Sequence, residues 1–142
     1  MATKKLTHRI EIRVRFNDAD PMAIVWHGNY VQYMEDAREA FGEQYGLGYL
    51  GFQAQGYVIP LINVNIDYKL PLRYGEKAIV EVEFVDTIAA KINFNYKIYR
   101  SSDNKLAAIG QTTQVFLDKD TNELVLIVPK FYAEWKRKYL NS

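Results

Sequence analysis

Asp18, Asp20 and His27 fall within one short stretch, Phe16-Asn17-Asp18-Ala19-Asp20-Pro21-Met22-Ala23-Ile24-Val25-Trp26-His27-Gly28-Asn29-Tyr30. Carboxylates that are ionised at neutral pH serve as nucleophiles or general bases, and an imidazole or a backbone amide beside them can orient a substrate. Aspartates before a helix also make turns and caps, so the residue types alone leave both uses open. The position of the stretch singles it out. It lies between an alternating strand pattern and a strong helix pattern, and loops held by rigid flanks are where reactive groups tend to sit.

The elements that must hold this loop are written in the apolar periodicity. Ile10, Ile12, Val14 and Phe16 alternate with Glu11, Arg13 and Arg15, which predicts a first strand with one buried face. Beyond the loop, Tyr30, Met34, Ala37, Phe41 and Tyr45 recur at helical spacing, with Gln32, Glu35, Asp36, Glu39 and Glu43 on the other side. An amphipathic helix from about Asn29 to Tyr45 follows, its apolar face read as core. Asn29 with Gln32 resembles a capping box, and Gly46 suits a left-handed C-terminal position. Residues 46–52 are glycine-rich but apolar and predict a packed connection.

Four alternating runs come next, at residues 62–70, 78–86, 91–100 and 107–117, and are expected to form a meander. Pro71 to Gly75, Ser102-Asp103-Asn104 and residues 118–122 supply the breaks between and after them. Gly110, inside the last run, predicts a bulge or bend. After Pro129, the spacing of Phe131, Trp135 and Tyr139 predicts a short closing helix, whose Lys136, Arg137 and Lys138 suit its dipole. One long helix can bury its apolar face only against one strongly twisted sheet, so the fold class is α+β. A single sheet leaves an edge strand with free backbone groups, which makes a homodimer the natural expectation.

Composition sets the outer bounds. With 142 residues, 49% hydrophobic and 14% aromatic, residues 1–142 read as a single domain with a real core. Lys plus Arg total 18 against 17 acidic residues; the net charge of +1 gives no broad basic field for nucleic acid or an anionic membrane. No cysteine is present, which excludes disulfides, thiolate nucleophiles and Cys-based metal sites. His8, in a terminus expected to fray, and His27 are too few and too separated for a metal site. No run approaches membrane-spanning length, and no apolar segment follows the lysines near Met1, so a cytoplasmic protein with no stable membrane insertion is expected.

Strand, Asp-x-Asp-Pro loop, Val25-Trp26-His27-Gly28-Asn29-Tyr30, helix, and later Tyr68-Lys69-Leu70-Pro71-Leu72-Arg73-Tyr74-Gly75 together resemble the hotdog-fold acyl-CoA thioesterases, nearest the 4-hydroxybenzoyl-CoA thioesterase branch. The resemblance covers nearly the whole chain, from about Ile10 to the end of the meander. It implies a long central helix wrapped by a curved antiparallel sheet of about five strands. It also implies hydrolysis of an acyl- or aroyl-CoA thioester to the free acid and coenzyme A, without metal or cofactor, by a homodimer or homotetramer whose sites are shared between subunits. The catalytic carboxylate falls on Asp20, and the backbone N–H that polarises the thioester carbonyl falls on His27. Asp18 reads as a loop anchor.

The chemistry of the residues agrees, because a helix N-terminus supplies donors and a positive dipole end to a developing oxyanion, and Asp20 can attack the carbonyl or deprotonate a water. Asn29 at the helix start, and Asn63 and Asn65 on a strand that could meet a partner's Asp20, are candidate substrate-binding residues. Lys91, in Ala89-Ala90-Lys91, is the candidate cation for coenzyme A. Ala23 departs from the resemblance, since many relatives carry glycine there. A non-catalytic module binding an acyl thioester or another small ligand is the rival reading. A hydroxyacyl-thioester dehydratase would need a His and acid pair on a differently patterned helix.

Overall fold

The structure, a computed structural model, describes residues 5–140. The lysine-bearing start of the chain begins in residues 1–4, outside the described residues. In order, the elements are β1 (Thr7–Arg13), α1 (Asn29–Tyr45), α2 (Tyr49–Ala54), β2 (Tyr57–Val58), β3 (Leu61–Tyr68), β4 (Lys77–Val85), β5 (Lys91–Arg100), β6 (Lys105–Val115), β7 (Leu117–Asp118) and α3 (Lys130–Leu140). Five of the strands form one antiparallel sheet in the order β1-β4-β5-β6-β3, and β2 pairs with β7 in a small second one.

The predicted periodicities decide the packing. Ala78, Val80, Val82 and Phe84 of β4 and Ile92, Phe94, Tyr96 and Ile98 of β5 all point to one face and are buried. Tyr30, Tyr33, Met34, Ala37 and Phe41 of α1 are buried as well, so helix and sheet share one core cluster. Gly46 takes φ +69° and ends α1 as expected. Tyr132 and Trp135 of α3 close the core, and the Trp135 indole Nε1–H donates to the Tyr45 carbonyl at 2.7 Å.

Several expectations are corrected. β1 stops at Arg13, and Phe16 opens a 3₁₀ turn (Phe16–Asp18) with 80% of its surface exposed, because the Asp18 carboxylate takes the Arg15 N–H at 3.0 Å and turns the chain. His8 is not frayed; it sits in β1 opposite Val82. Asn29 and Gln32 form no capping box. Gly28 is the N-cap without a side-chain bond, and Gln32 Nε2 donates instead to Asp36 Oδ1. Residues 46–52 are not merely a connection, since they include most of α2. Leu117 lies in β7 rather than in the preceding strand.

The sheet order is the larger correction. Only β4, β5 and β6 form a meander; β3 leaves β4 and pairs with β6 at the sheet edge, while β4 pairs with β1. Consequently the alternating residues of β3 are not a buried row: Ile62 and Val64 remain 55% and 40% exposed. Gly110 is not a bulge but stays in register between Ile66 and Tyr96; the register shifts along β6 fall opposite Ile98/Tyr99 of β5 and Leu61/Asn63 of β3. A Cβ at Gly110 would collide with Met34 Sδ, so the glycine lets α1 come close to the sheet.

Candidate active site

The loop between β1 and α1 is organised by Asp18. Its carboxylate Oδ2 accepts from the Arg15 N–H and from the Tyr33 hydroxyl, each at 3.0 Å, and its carbonyl accepts from the Trp26 N–H at 2.9 Å and Asn29 Nδ2 at 2.8 Å. One residue thus ties the 3₁₀ turn, the loop's return segment and the first two turns of the helix together. Burial first, and then the Asp18 carboxylate, push the Tyr33 phenol well above its usual range, so it remains a donor.

Held from below in this way, residues 19–25 close into a small hairpin. Ala19 bridges Val25, the Asp20 N–H donates to the Ile24 carbonyl at 2.8 Å, and the Ala23 N–H donates to the Asp20 carbonyl at 2.9 Å. Asp20 Oδ1 accepts from the Met22 N–H at 2.8 Å, so one carboxylate oxygen is fixed by the turn. Ala23 carries the turn at φ +63°, a left-handed conformation that favours glycine. The chain keeps the turn despite lacking the glycine.

Gly28 lets the half-exposed Trp26 ring fold against the helix start, where any Cβ would strike the indole. His27 is exposed at the end of α1. Its carbonyl accepts from the Tyr68 hydroxyl at 2.7 Å, and its ring lies edge-on to Tyr68. Among the described residues its backbone N–H has no backbone acceptor. Asp20, Met22, Ile24, His27, Tyr30 and Tyr68 line one cleft of about 310 Å³, which Lys69, Leu70 and Pro71 complete. Burial raises the Tyr30 and Tyr68 phenols, so both are neutral hydroxyls at the cleft.

The structure therefore brings Asp20 and His27 to one cleft. Asn29 spends its amide on the loop. Asn63 and Asn65 lie opposite Thr113 and Gln111 on the sheet face away from α1, and Lys91 lies at the start of β5 opposite Val115. None of these three lines the Asp20 cleft, and Lys91 is about 20 Å along β5 from Ile98, which is level with the cleft's Tyr68. Tyr33, Tyr68 and Lys69 belong to the loop's support or the cleft lining and are absent from the sequence-based set. Tyr68 and Lys69 had one signal, the Pro-centred element in which they stand. A larger cavity, about 540 Å³, lies at the far half of α1, lined by Arg38, Leu47, Phe52, Ile59, Ile92 and Phe94 among others.

Comparison with known proteins places this geometry. The model of the thioesterase-like superfamily matches residues 14–135. A Bacillus subtilis (strain 168) protein named "Putative acyl-CoA thioesterase YneP" is 32% identical over 129 residues, 91% of this chain and 92% of that protein. The crystal structure of a DHNA-CoA thioesterase from Staphylococcus aureus superposes with a TM-score of 0.84 at 26% identity, covering 94% of this chain and 88% of the other. A structure of a 4-hydroxybenzoyl CoA thioesterase mutant complexed with 4-hydroxybenzoyl CoA shares the fold, with a TM-score of 0.79 at 22% identity over 92% of this chain and 98% of that one.

Proposed function

We propose, from the premise that the chain belongs to the thioesterase-like superfamily, that it hydrolyses acyl- or aroyl-CoA thioesters with Asp20 as the working carboxylate. The chain is a thioester hydrolase of the hotdog fold. The observation that carries the assignment of roles is that Asp20 and the N-terminal end of α1, at His27, line the same cleft.

The reaction follows from that pairing. A thioester carbonyl laid between the two has its oxygen at the positive end of a 17-residue helix, within reach of the His27 N–H, and its carbon toward Asp20. Asp20 then either attacks the carbonyl carbon, expelling the thiolate of coenzyme A and leaving an anhydride for water to open, or takes a proton from a water whose oxygen attacks. Both routes end at the free acid and coenzyme A. The Asn29 N–H, donating to the Trp26 carbonyl at 2.9 Å, holds the peptide that carries the His27 N–H, and Tyr68 donates to the next carbonyl, that of His27 itself.

The open edge of β3 supports a homodimer, with a homotetramer as its doubling. Ile62 and Val64 stay exposed on β3, an edge strand whose outer side is unpaired, and a second copy pairing there antiparallel would cover them. Such a pairing sets the Leu61 end of one β3, beside the 540 Å³ cavity, against the Tyr68 end of the other, beside Asp20. The acyl group would then lie between subunits. Residues 1–142 are taken as one domain, and the compartment assigned is the cytoplasm. Among the described residues no helix is long and apolar enough to cross a membrane.

The test is thiol release from short, long and aromatic acyl-CoAs by the purified protein, beside Asp20→Asn. Asparagine still accepts the Met22 N–H, so the turn survives, while turnover should fall by roughly 10²–10⁴-fold. Unchanged turnover removes Asp20 from the mechanism. No hydrolysis of any thioester by the wild type favours the binding module.

A further inference from the structure

We propose that Phe52 of α2 sets how long an acyl chain the protein accepts, and that the acyl class it takes is a straight aliphatic chain. The proposal rests on the thioesterase reading above and on the β3 pairing that goes with it, and it names the substrate class of that same site.

Three observations carry it. The first is a partition between two cavities. The 540 Å³ cavity at the far half of α1 and a second one of about 280 Å³, which Phe131 and Trp135 also line, share Leu47, Gly48, Gly51 and Phe52 as lining residues. One layer of chain thus separates two spaces, and of the four shared residues only Leu47 and Phe52 have side chains to fill it. Phe52 is 2% exposed and is braced by Phe116 and Phe131, with ring centroids at 5.8 and 5.6 Å. A chain that reaches this ring stops there.

The second is the chemistry of the larger cavity. Leu47, Phe52, Ile59, Ile92 and Phe94 give it apolar walls, which suit an aliphatic ligand. Its inner polar side chains are already engaged: Arg38 Nη1 donates to the Tyr96 hydroxyl at 3.1 Å, and Gln114 Nε2 donates to the Ile59 carbonyl at 2.9 Å. Among the described residues no buried side-chain nitrogen or oxygen lacks a partner, so no orphan group there calls for a polar acyl substituent. Glu35, Glu39 and Glu43 stand exposed along the helix edge of the cavity, where they disfavour a chain that ends in a carboxylate.

The third is position. Ile59 in the cavity lining leads into Leu61, the end of β3 that the proposed antiparallel pairing sets beside the Asp20 cleft of a second copy. A thioester carbonyl held at that cleft therefore directs its acyl chain into the cavity, toward α2. The segment that carries the wall is pressed onto the end of α1, since the Leu47 N–H donates to the Gly42 carbonyl at 2.8 Å and a Cβ at Gly42 would strike the Leu47 carbonyl oxygen. The stop is fixed in place.

The experiment follows hydrolysis and binding along a series of straight-chain thioesters, butyryl to palmitoyl, with benzoyl-CoA beside them, in wild type, Phe52→Ala and Gly48→Leu. Binding is read by calorimetry with the matching S-alkyl coenzyme A thioethers, which resist hydrolysis. In wild type, affinity and kcat/KM should rise about fourfold per methylene and then break off at the length that meets Phe52. Phe52→Ala joins the 280 Å³ space to the first, so the break should move to longer chains, with a gain of at least about tenfold in kcat/KM for the lengths just past it. Losing a buried aromatic ring also lowers stability, and Gly48→Leu supplies the opposite test. A Cβ at Gly48 meets nothing beyond its chain neighbours within 4 Å, so the fold should keep its melting point while the side chain fills cavity space and moves the break to shorter chains. A break unmoved in folded Phe52→Ala overturns the proposal; should that variant not fold, an unmoved break in Gly48→Leu overturns it instead. A wild type that prefers benzoyl-CoA to every straight chain, or shows no dependence on length, overturns it as well. If wild type hydrolyses no thioester, the thioesterase reading fails by itself, while the thioether affinities still decide the wall.

Discussion

The Tyr33 hydroxyl donates to Asp18 Oδ2 at 3.0 Å, which anchors the hairpin that carries Asp20 to the second turn of α1. The helix thereby sets the distance between its own N-terminus and Asp20. Removing the hydroxyl while keeping the ring, in Tyr33→Phe, should cost about 1–2 kcal/mol of stability, because the Asp18 carboxylate retains the Arg15 N–H. With Asp20 in the proposed role it should also lower kcat several-fold with KM little changed, since a slackened hairpin misplaces that carboxylate rather than the substrate. Melting curves with steady-state kinetics check both; an equal fall in folded fraction and rate would reduce Tyr33 to a structural residue.

Ala23→Gly tests the strain at the turn. At φ +63° an alanine costs roughly 1–2 kcal/mol relative to its relaxed backbone, whereas glycine adds about 0.4–1 kcal/mol of unfolded-state entropy to be lost. Strain relief wins by a small margin. The variant should be more stable by about 0.5–1 kcal/mol, a few degrees in Tm, with activity preserved because the Asp20–Ala23 hydrogen bond is unchanged. A less stable variant would mean that the alanine methyl makes packing contacts worth more than the strain.

How much of this was legible in the sequence divides along physical lines. The helix Asn29–Tyr45 was readable to the residue, because five apolar positions at helical spacing and one glycine at its end all report the same element. The five long strands are readable for the same reason, with their ends displaced by a few residues, while the two-residue β2 and β7 carry no such pattern. Strand neighbours were not: alternation says that Ile62, Val64 and Ile66 share a face but not that β3 pairs with β6, and that pairing alone brings Tyr68 and Lys69 to Asp20. Asp18 reads as an anchor from its place in the loop, but its partner Tyr33 does not show, since a tyrosine on a helix reads as core until its hydroxyl is placed. Asn29 suggested a cap or a ligand contact and is spent on a carbonyl eleven residues away.

Gly110→Ala tests the close approach of helix and sheet. The added methyl meets Met34 Sδ, and Met34 is fully buried, so the thioether has little room to withdraw. Overpacking of this kind costs about 1–3 kcal/mol. Met34→Ala in the same background should recover part of that loss, a coupling readable in a double-mutant cycle by urea unfolding. Additive losses would show that the two side chains do not share the space.

Asp103 supplies a pH dependence whose sign is fixed. Hydrogen bonds from Arg100, Nε at 3.0 Å and Nη2 at 2.5 Å, together with the Lys105 N–H, lower its carboxyl from 3.8 to about 2. A carboxyl depressed in the folded state contributes stability that is present above its unfolded value near 3.8 and is lost as pH falls through about 2. Asp103→Asn keeps the turn but cannot titrate. Wild type should therefore be more stable than the variant at neutral pH, and the gap should close between pH 4 and pH 2. Arg100 and Asp103 are both partly solvated, so added salt should narrow the gap at neutral pH as well. Urea midpoints taken across that pH range decide it: a gap that stays constant into acid would mean that Asp103 acts through its backbone turn and not through its charge.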